Sequence, residues 1–239
     1  MPLASPTTSD PLNAKFAAMP RHPRSRSLGL IALVALVMAG CPSDHDQPSA
    51  QPIGPKAPFD AAALHSALGR IVRWHAQRDP GWVAALRPGL AAPGLARALD
   101  RLPCRPPREI ETLYAWHDGT DPADAPFVWY HSFPSLDEAI RSYHRLVGSG
   151  LLRPDEFPVL EFEGEYYVVR CSRRAADTSS VWLVFHDPER VVNYVSFTAY
   201  METAADWYES GATDPADLRR LRAIHQLRNP GAQFPYAVH

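Results

Sequence analysis

The residues with the widest chemical reach in this 239-residue chain are its ten histidines, three cysteines and clustered carboxylates. A metal centre would have to draw on His117-Asp118, His131, His144 and His186-Asp187. A lone His-Asp pair occurs in metal phosphohydrolases, but such centres need further His and Asp at helical spacing. No HxH, HxxxH or HExxH run is present. His75 falls on the apolar side of a helical pattern with no second ligand three or four positions away, which marks a core or edge residue. These histidines therefore read as core, turn and surface residues, and no metal or other cofactor is expected. A cysteine nucleophile would pair Cys104 or Cys171 with one of them. Cys104 lies near a helix N-terminus, a position that lowers a thiol pKa. Arg105-Pro106-Pro107 nevertheless sets it before the first turn, and no Asp-Cys or Gly-x-Cys-x-Gly frame surrounds it. Gly-x-Ser-x-Gly and phosphate-loop motifs are also missing, so no catalytic residue is assigned.

Two further clusters point to binding. Asp118, Asp121, Asp124, Glu161, Glu163 and Glu165 gather at two loops. As a rule such acids are a solvated surface; against a basic partner they are the first contact candidates. Trp129, Tyr130, Tyr166, Tyr167, Trp182, Tyr194 and Trp207 would suit a carbohydrate or peptidoglycan platform. Aromatics on strands are more often core or cross-strand pairs, and those left outside serve equally as protein anchors. Net charge is only −2, with no basic footprint for nucleic acid.

The first forty residues read as a secretory signal. Arg21, Arg24 and Arg26 precede an uncharged apolar run from Leu28 to Ala39, about 12 residues, against the roughly 20 needed to span a bilayer. Met38-Ala39-Gly40-Cys41 resembles a bacterial lipoprotein processing site, which implies that Cys41 is lipidated and becomes the mature first residue. The stretch before Met19 is unlike an n-region, so Met19 is an alternative start. Removal of residues 1–40 takes four of the 24 basic and one of the 26 acidic residues, leaving a net charge of −5. Residues 41–58, rich in Pro, Ser, Asp and Gln, read as a disordered tether. The expected location is the periplasm, with the membrane reached through the N-terminal lipid. In that oxidising compartment Cys104 and Cys171 either bridge each other or remain two separate buried thiols.

The elements that must position these residues fill 59–239, read as one domain. Helical spacing predicts a helix over 58–77, with Asp60 as its cap, and another over 94–100 with Leu95 and Leu99 inward. A third follows Pro107 and carries Ile110, Leu113 and Tyr114 on its buried side, with Gly119 expected to end it. Residues 125–133 read as one strand, and Ser135-x-x-Glu138 as a capping box opening a helix to about Val147. Residues 157–171 form a hairpin turned at Glu163-Gly164. Strands over 180–185 and 191–195 and helices over 198–209 and 214–227 complete the chain. The fold class is α+β: an antiparallel β-meander of four to six strands with helices packed against it.

Residues 95–210 resemble the SUKH superfamily, whose founding members are the Smi/Knr-type cell-wall assembly regulators. The likeness rests on Leu102-Pro103, then Leu113-Tyr114-Ala115-Trp116-His117-Asp118-Gly119, then Val159-Leu160 and the strand from Tyr166 to Arg170. Ser196-Phe197 then leads into a helix. The family often has Asn where Asp118 stands, and the helix-bearing insert between Gly119 and Phe157 departs from its core pattern. The resemblance implies a SUKH-like fold and a non-enzymatic role, since bacterial members are mostly immunity proteins that each bind and neutralise a toxin. The partner expected on that basis is a cognate toxin acting in the periplasm or on the envelope. The alternatives are a cell-wall-binding or regulatory envelope lipoprotein and, further off, a cysteine or metal hydrolase.

Overall fold

The computed structural model describes residues 58–122, 125–174, 176–185, 190–211 and 217–235. The expected leader, the lipidation site Cys41, nearly all of the tether, Asp124 and His186-Asp187 lie outside the described residues. Helix α1 (Ala61–Arg78) starts where Asp60 accepts hydrogen bonds from the N–H groups of Ala62 and Ala63, at 2.8 and 3.2 Å. This is the capping that an Asp ahead of an apolar-periodic run supplies. Leu64, Ala67, Leu68 and Ile71 form its buried stripe. There follow α2 (Pro80–Ala84), β1 (Leu86–Pro88), α3 (Ala92–Leu99), α4 (Arg108–Trp116) and β2 (His117–Thr120). β1 and β2 pair antiparallel as a small sheet of their own.

Gly119 does not end α4. The helix stops at Trp116, where His117 turns extended, and Gly119 sits in β2 with φ of 82°. A Cβ there would fall 2.4 Å from the Ser135 backbone nitrogen. The glycine thus serves a close approach of β2 to the start of the next helix. The run 125–133, expected as one strand, is a hairpin of β3 (Pro126–Val128) and β4 (His131–Ser132). Its turn places Trp129 at φ of 59°, a conformation that L side chains rarely adopt. The Tyr208 hydroxyl holds it by accepting from Trp129 N–H at 2.7 Å. Without Gly or Asn at the turn, the sequence carries no local signal for it.

The remaining elements are α5 (Leu136–Gly148), β5 (Glu156–Phe162), β6 (Glu165–Arg170), β7 (Val181–Val184), β8 (Arg190–Tyr194), α6 (Phe197–Ser210) and α7 (Leu218–Arg228). The Ser135/Glu138 capping box opens α5 with both reciprocal bonds made. Strands β3 to β8 form one six-stranded sheet, antiparallel throughout and in strict chain order. The fold is therefore α+β with an antiparallel meander.

Period-two alternation gives the sheet two buried faces. Tyr167 and Val169 of β6, with Val181 and Leu183 of β7, join the main core that α1, α4 and α6 complete. Tyr166, Val168 and Val184 turn the other way and pack with Leu146 and Leu152, at and beyond the end of α5. On this second side Glu156 meets Arg190 across the sheet. The guanidinium donates from Nε and Nη2 to the two carboxylate oxygens at 2.9 and 3.0 Å, and from Nη2 to the Leu151 carbonyl at 2.6 Å.

Glu109, early in α4, is fully buried. Its carboxylate accepts from the N–H groups of Thr198 at 2.7 Å, Phe197 at 3.3 Å and Ser179 at 3.3 Å. Together with Ser196, which accepts from Ala199 N–H at 3.0 Å, it satisfies the first turn of α6. Burial pushes its carboxyl pKa up, against the downward pull of those amides. An acid that favours its own helix's dipole in sequence thus caps another helix in space.

Both edges of the sheet are occupied. At β8, Gln233 N–H donates to the Val192 carbonyl at 2.9 Å and Asn193 Nδ2 donates to the Gln233 carbonyl at 3.1 Å. At β3, the Pro126 carbonyl accepts from Trp82 Nε1 at 2.9 Å, and the Phe127 carbonyl lies 3.0 Å from His75 Nε2. Among the described residues no helix is long and apolar enough to cross a membrane.

Candidate partner-binding groove

The turn between β5 and β6, the β3–β4 hairpin and α5 border a groove of about 520 Å³. Ser132 and Glu161 lie opposite each other across β4 and β5, and Glu161 lies opposite Tyr166 across β5 and β6. This register sets all three side chains on one face. Tyr130 stands at the rim, 52% exposed, with its ring 5.5 Å from that of Phe162. Arg145 reaches in from the exposed side of α5. It donates to Ser142 Oγ at 3.1 Å, and Ser142 Oγ donates to Glu161 Oε2 at 3.4 Å. One hydroxyl therefore separates a cation from an anion that do not touch.

Glu163 occupies the turn itself, with φ of 44°, followed by Gly164 with φ of 90°. Two successive left-handed residues make a hairpin turn of the kind that favours Asn-Gly, because a longer L side chain crowds its own backbone there. Glu163→Asn is expected to raise the unfolding free energy by about 0.5–1 kcal/mol in urea titration.

The six acidic candidates separate in space. Glu161 and Glu163 line the groove. Glu165 points to the opposite face of β6 from Tyr166, where its carboxylate lies 4.0 Å from His131 Nε2. Asp118 is engaged in structure, since its Oδ1 accepts from Leu136 N–H at 2.8 Å and so helps cap α5. Asp121 is exposed beside Arg87 at 3.8 Å and borders a shallower depression with Asp79 and Trp82. Of the aromatic candidates, Tyr167, Tyr194 and Trp207 are core, Trp182 is half-buried beneath Arg170, and Tyr130 is the one that stands half-exposed. Arg145, Ser132 and Ser142 entered no sequence argument. Their only signal was membership of the polar face of α5 or of a strand whose turn was not legible.

None of the described histidines and cysteines lines this groove. Cys104 and Cys171 form a disulfide with Cα atoms 5.5 Å apart, tying the loop before α4 to the end of β6. An isolated ladder pair, Arg105 with Ser172, runs beside it. His117 is hydrogen-bonded to the Arg87 carbonyl at 2.6 Å. Among the described residues no group of three or more His, Cys, Asp or Glu is placed to hold a metal ion.

His131 is 5% exposed, packed against Tyr167 and Phe162, and neither ring nitrogen has a hydrogen-bond partner among the described residues. Burial lowers its pKa to about 4. The unfolded chain takes up a proton near pH 6.5 that the folded chain refuses until about pH 4. The stability this neutral histidine contributes is therefore full above pH 6.5 and lost as pH falls through that window, by about 3 kcal/mol in all. Urea titrations between pH 7 and 4 should show wild type losing that much more than His131→Phe. Equal losses in the two proteins would rule the effect out.

Compared with models of known protein families and with curated proteins, the chain matches none of either.

Proposed function

We propose that the chain is a lipid-anchored, SUKH-like binding module of the bacterial envelope, and above all an immunity protein that neutralises a cognate toxin by direct contact. The observation that carries this reading is the order of elements. A Leu-Pro step, the α4 helix running into His117-Asp118-Gly119, an antiparallel meander, and a Ser-Phe step into α6 follow one another as in that superfamily, with the α5-bearing insert between Gly119 and Phe157 as the departure. Two features support a binding role over a hydrolytic one. Cys104 and Cys171 share a bridge, so neither offers the thiolate that a cysteine hydrolase needs. The groove instead sets charges of both signs beside a half-exposed tyrosine, which is the chemistry of a recognition surface.

The test is co-purification of the full chain with the product of a neighbouring gene. A stoichiometric complex with a toxin-like protein is the expected result. Retention on isolated peptidoglycan, lost in Tyr130→Ala, would instead favour the cell-wall reading, which the exposure of Tyr130 also supports. For the anchor, incorporation of radiolabelled palmitate should occur in wild type and vanish in Cys41→Ser.

A further inference from the structure

We propose that the groove reads a segment of the protein partner in which a basic and an acidic side chain lie close together. The cation packs on Tyr130 against Glu161 and Glu163, and the carboxylate is taken by Arg145. This rests on the binding-module reading and names what that module recognises. Three independent features of the site argue for it. First, some arginines meet carboxylates directly, as Arg87 does with Glu138 at 3.2 Å and Arg101 with Asp137 at 2.5 Å. Among the described residues Arg145 and Glu161 do not; each reaches only the Ser142 hydroxyl between them. Arg145 keeps most of its donor fork open to a carboxylate, and Glu161 keeps one oxygen open to a cation.

Second, Glu163 makes no ion pair among the described residues, yet stands at φ of 44°, where the turn favours Asn or Gly. A carboxylate held at a backbone position that disfavours it points to use of the side chain. Third, the half-exposed Tyr130 lines the groove beside these acids, an aromatic group of the kind a cation packs on. A purely basic ligand would meet Arg145 as a like charge, and a purely acidic one would meet Glu161 and Glu163. A ligand carrying both charges complements all three, and a groove of about 520 Å³ has room for two side chains.

The test uses the ¹⁵N-labelled full chain in detergent micelles, titrated with acetyl-Lys-Gly-Asp-amide, acetyl-Lys-Gly-Asn-amide and acetyl-Gln-Gly-Asp-amide. Amide shifts at Tyr130, Glu163 and Gly164 should be largest for the first peptide. Glu163→Asn, which suits the turn better than wild type, should weaken lysine-dependent binding about two- to five-fold. Arg145→Gln should erase the difference between the Asp and Asn peptides. No shift up to about 10 mM peptide, or equal shifts with all three, overturns the proposal. Capture of a protein partner separates the two ideas. A partner held equally by wild type, Glu163→Asn and Arg145→Gln sinks the groove assignment and leaves the binding module standing. Charge-selective peptide shifts with no partner captured uphold the groove chemistry and sink the immunity reading.

Discussion

Arg190→Met is expected to lower the unfolding free energy by about 3–5 kcal/mol, because it strands a carboxylate inside the protein. Glu156 is 2% exposed and Arg190 10% exposed, and their contact is bidentate. Arg190 also satisfies the Leu151 carbonyl, and Arg153 N–H donates to Glu156 at 2.8 Å. Removing the cation leaves an anion with one backbone partner among the described residues, on the side of the sheet where Leu146, Leu152, Val168 and Val184 cluster. The double variant Glu156→Leu/Arg190→Met should recover most of the loss, since two apolar groups of similar volume need no partners. Urea titration of the single and double variants measures both. A single variant within about 1 kcal/mol of wild type would show that Glu156 finds water or another donor. The pair lies 34 positions apart in sequence, which is why no sequence pattern announced it.

Reduction of the Cys104–Cys171 bridge is the second large effect. It closes a loop of 67 residues, and on the chain-entropy account such a loop withholds about 4 kcal/mol of freedom from the unfolded chain. Cys104→Ala/Cys171→Ala should therefore lose about 4 kcal/mol of unfolding free energy and unfold at lower urea, and dithiothreitol should bring wild type to the same midpoint. A difference between the double variant and reduced wild type would measure how well the two sites tolerate free thiols. The effect is architectural as well as entropic. The bridge and the Arg105–Ser172 ladder pair together fix the loop that leads into α4, and α4 carries Glu109, the cap of α6. Loosening the loop should lower hydrogen-exchange protection at Thr198 and Ala199 before it does so at the centre of β6.

Local rules that act within a few residues were legible in the sequence. The Asp60 cap, the Ser135/Glu138 capping box and the Glu163-Gly164 turn each combine residue type with short spacing, and each stands where that spacing puts it. Strand alternation was legible only in part. It divides β6 and β7 between two faces, but both faces are covered, so these strands are buried almost throughout instead of at every second residue. A bulge in β5 sends the neighbours Val159 and Leu160 into the same core. Features decided by distant partners were not. The β3–β4 hairpin depends on Tyr208, some eighty positions later, to hold Trp129 in a left-handed turn. Glu109 looked like a first-turn acid because its true partners, at 179, 197 and 198, belong to other elements.

The groove divides in the same way. Glu161 and Glu163 stood out as acids at a hairpin, whereas Arg145 sits on a helix whose exposed face carries several unremarkable charges. Glu165, two residues after Glu163, was grouped with it by sequence proximity. The strand that starts at Glu165 turns its side chain to the other face, toward His131.

The closure of both sheet borders bears on how many copies of this protein can share a surface. An antiparallel sheet with bare margins is a template that a neighbour can extend strand by strand, and confinement of many copies on one plane favours such growth. Here one margin is taken by the chain's own segment at Gln233, and the other is a three-residue strand whose carbonyls are claimed by Trp82 and His75. Those backbone groups, among the described residues, are already engaged and are not offered to a second molecule. At these points contacts between molecules are left to side chains, where selectivity resides, rather than to the backbone, which is the same in every protein.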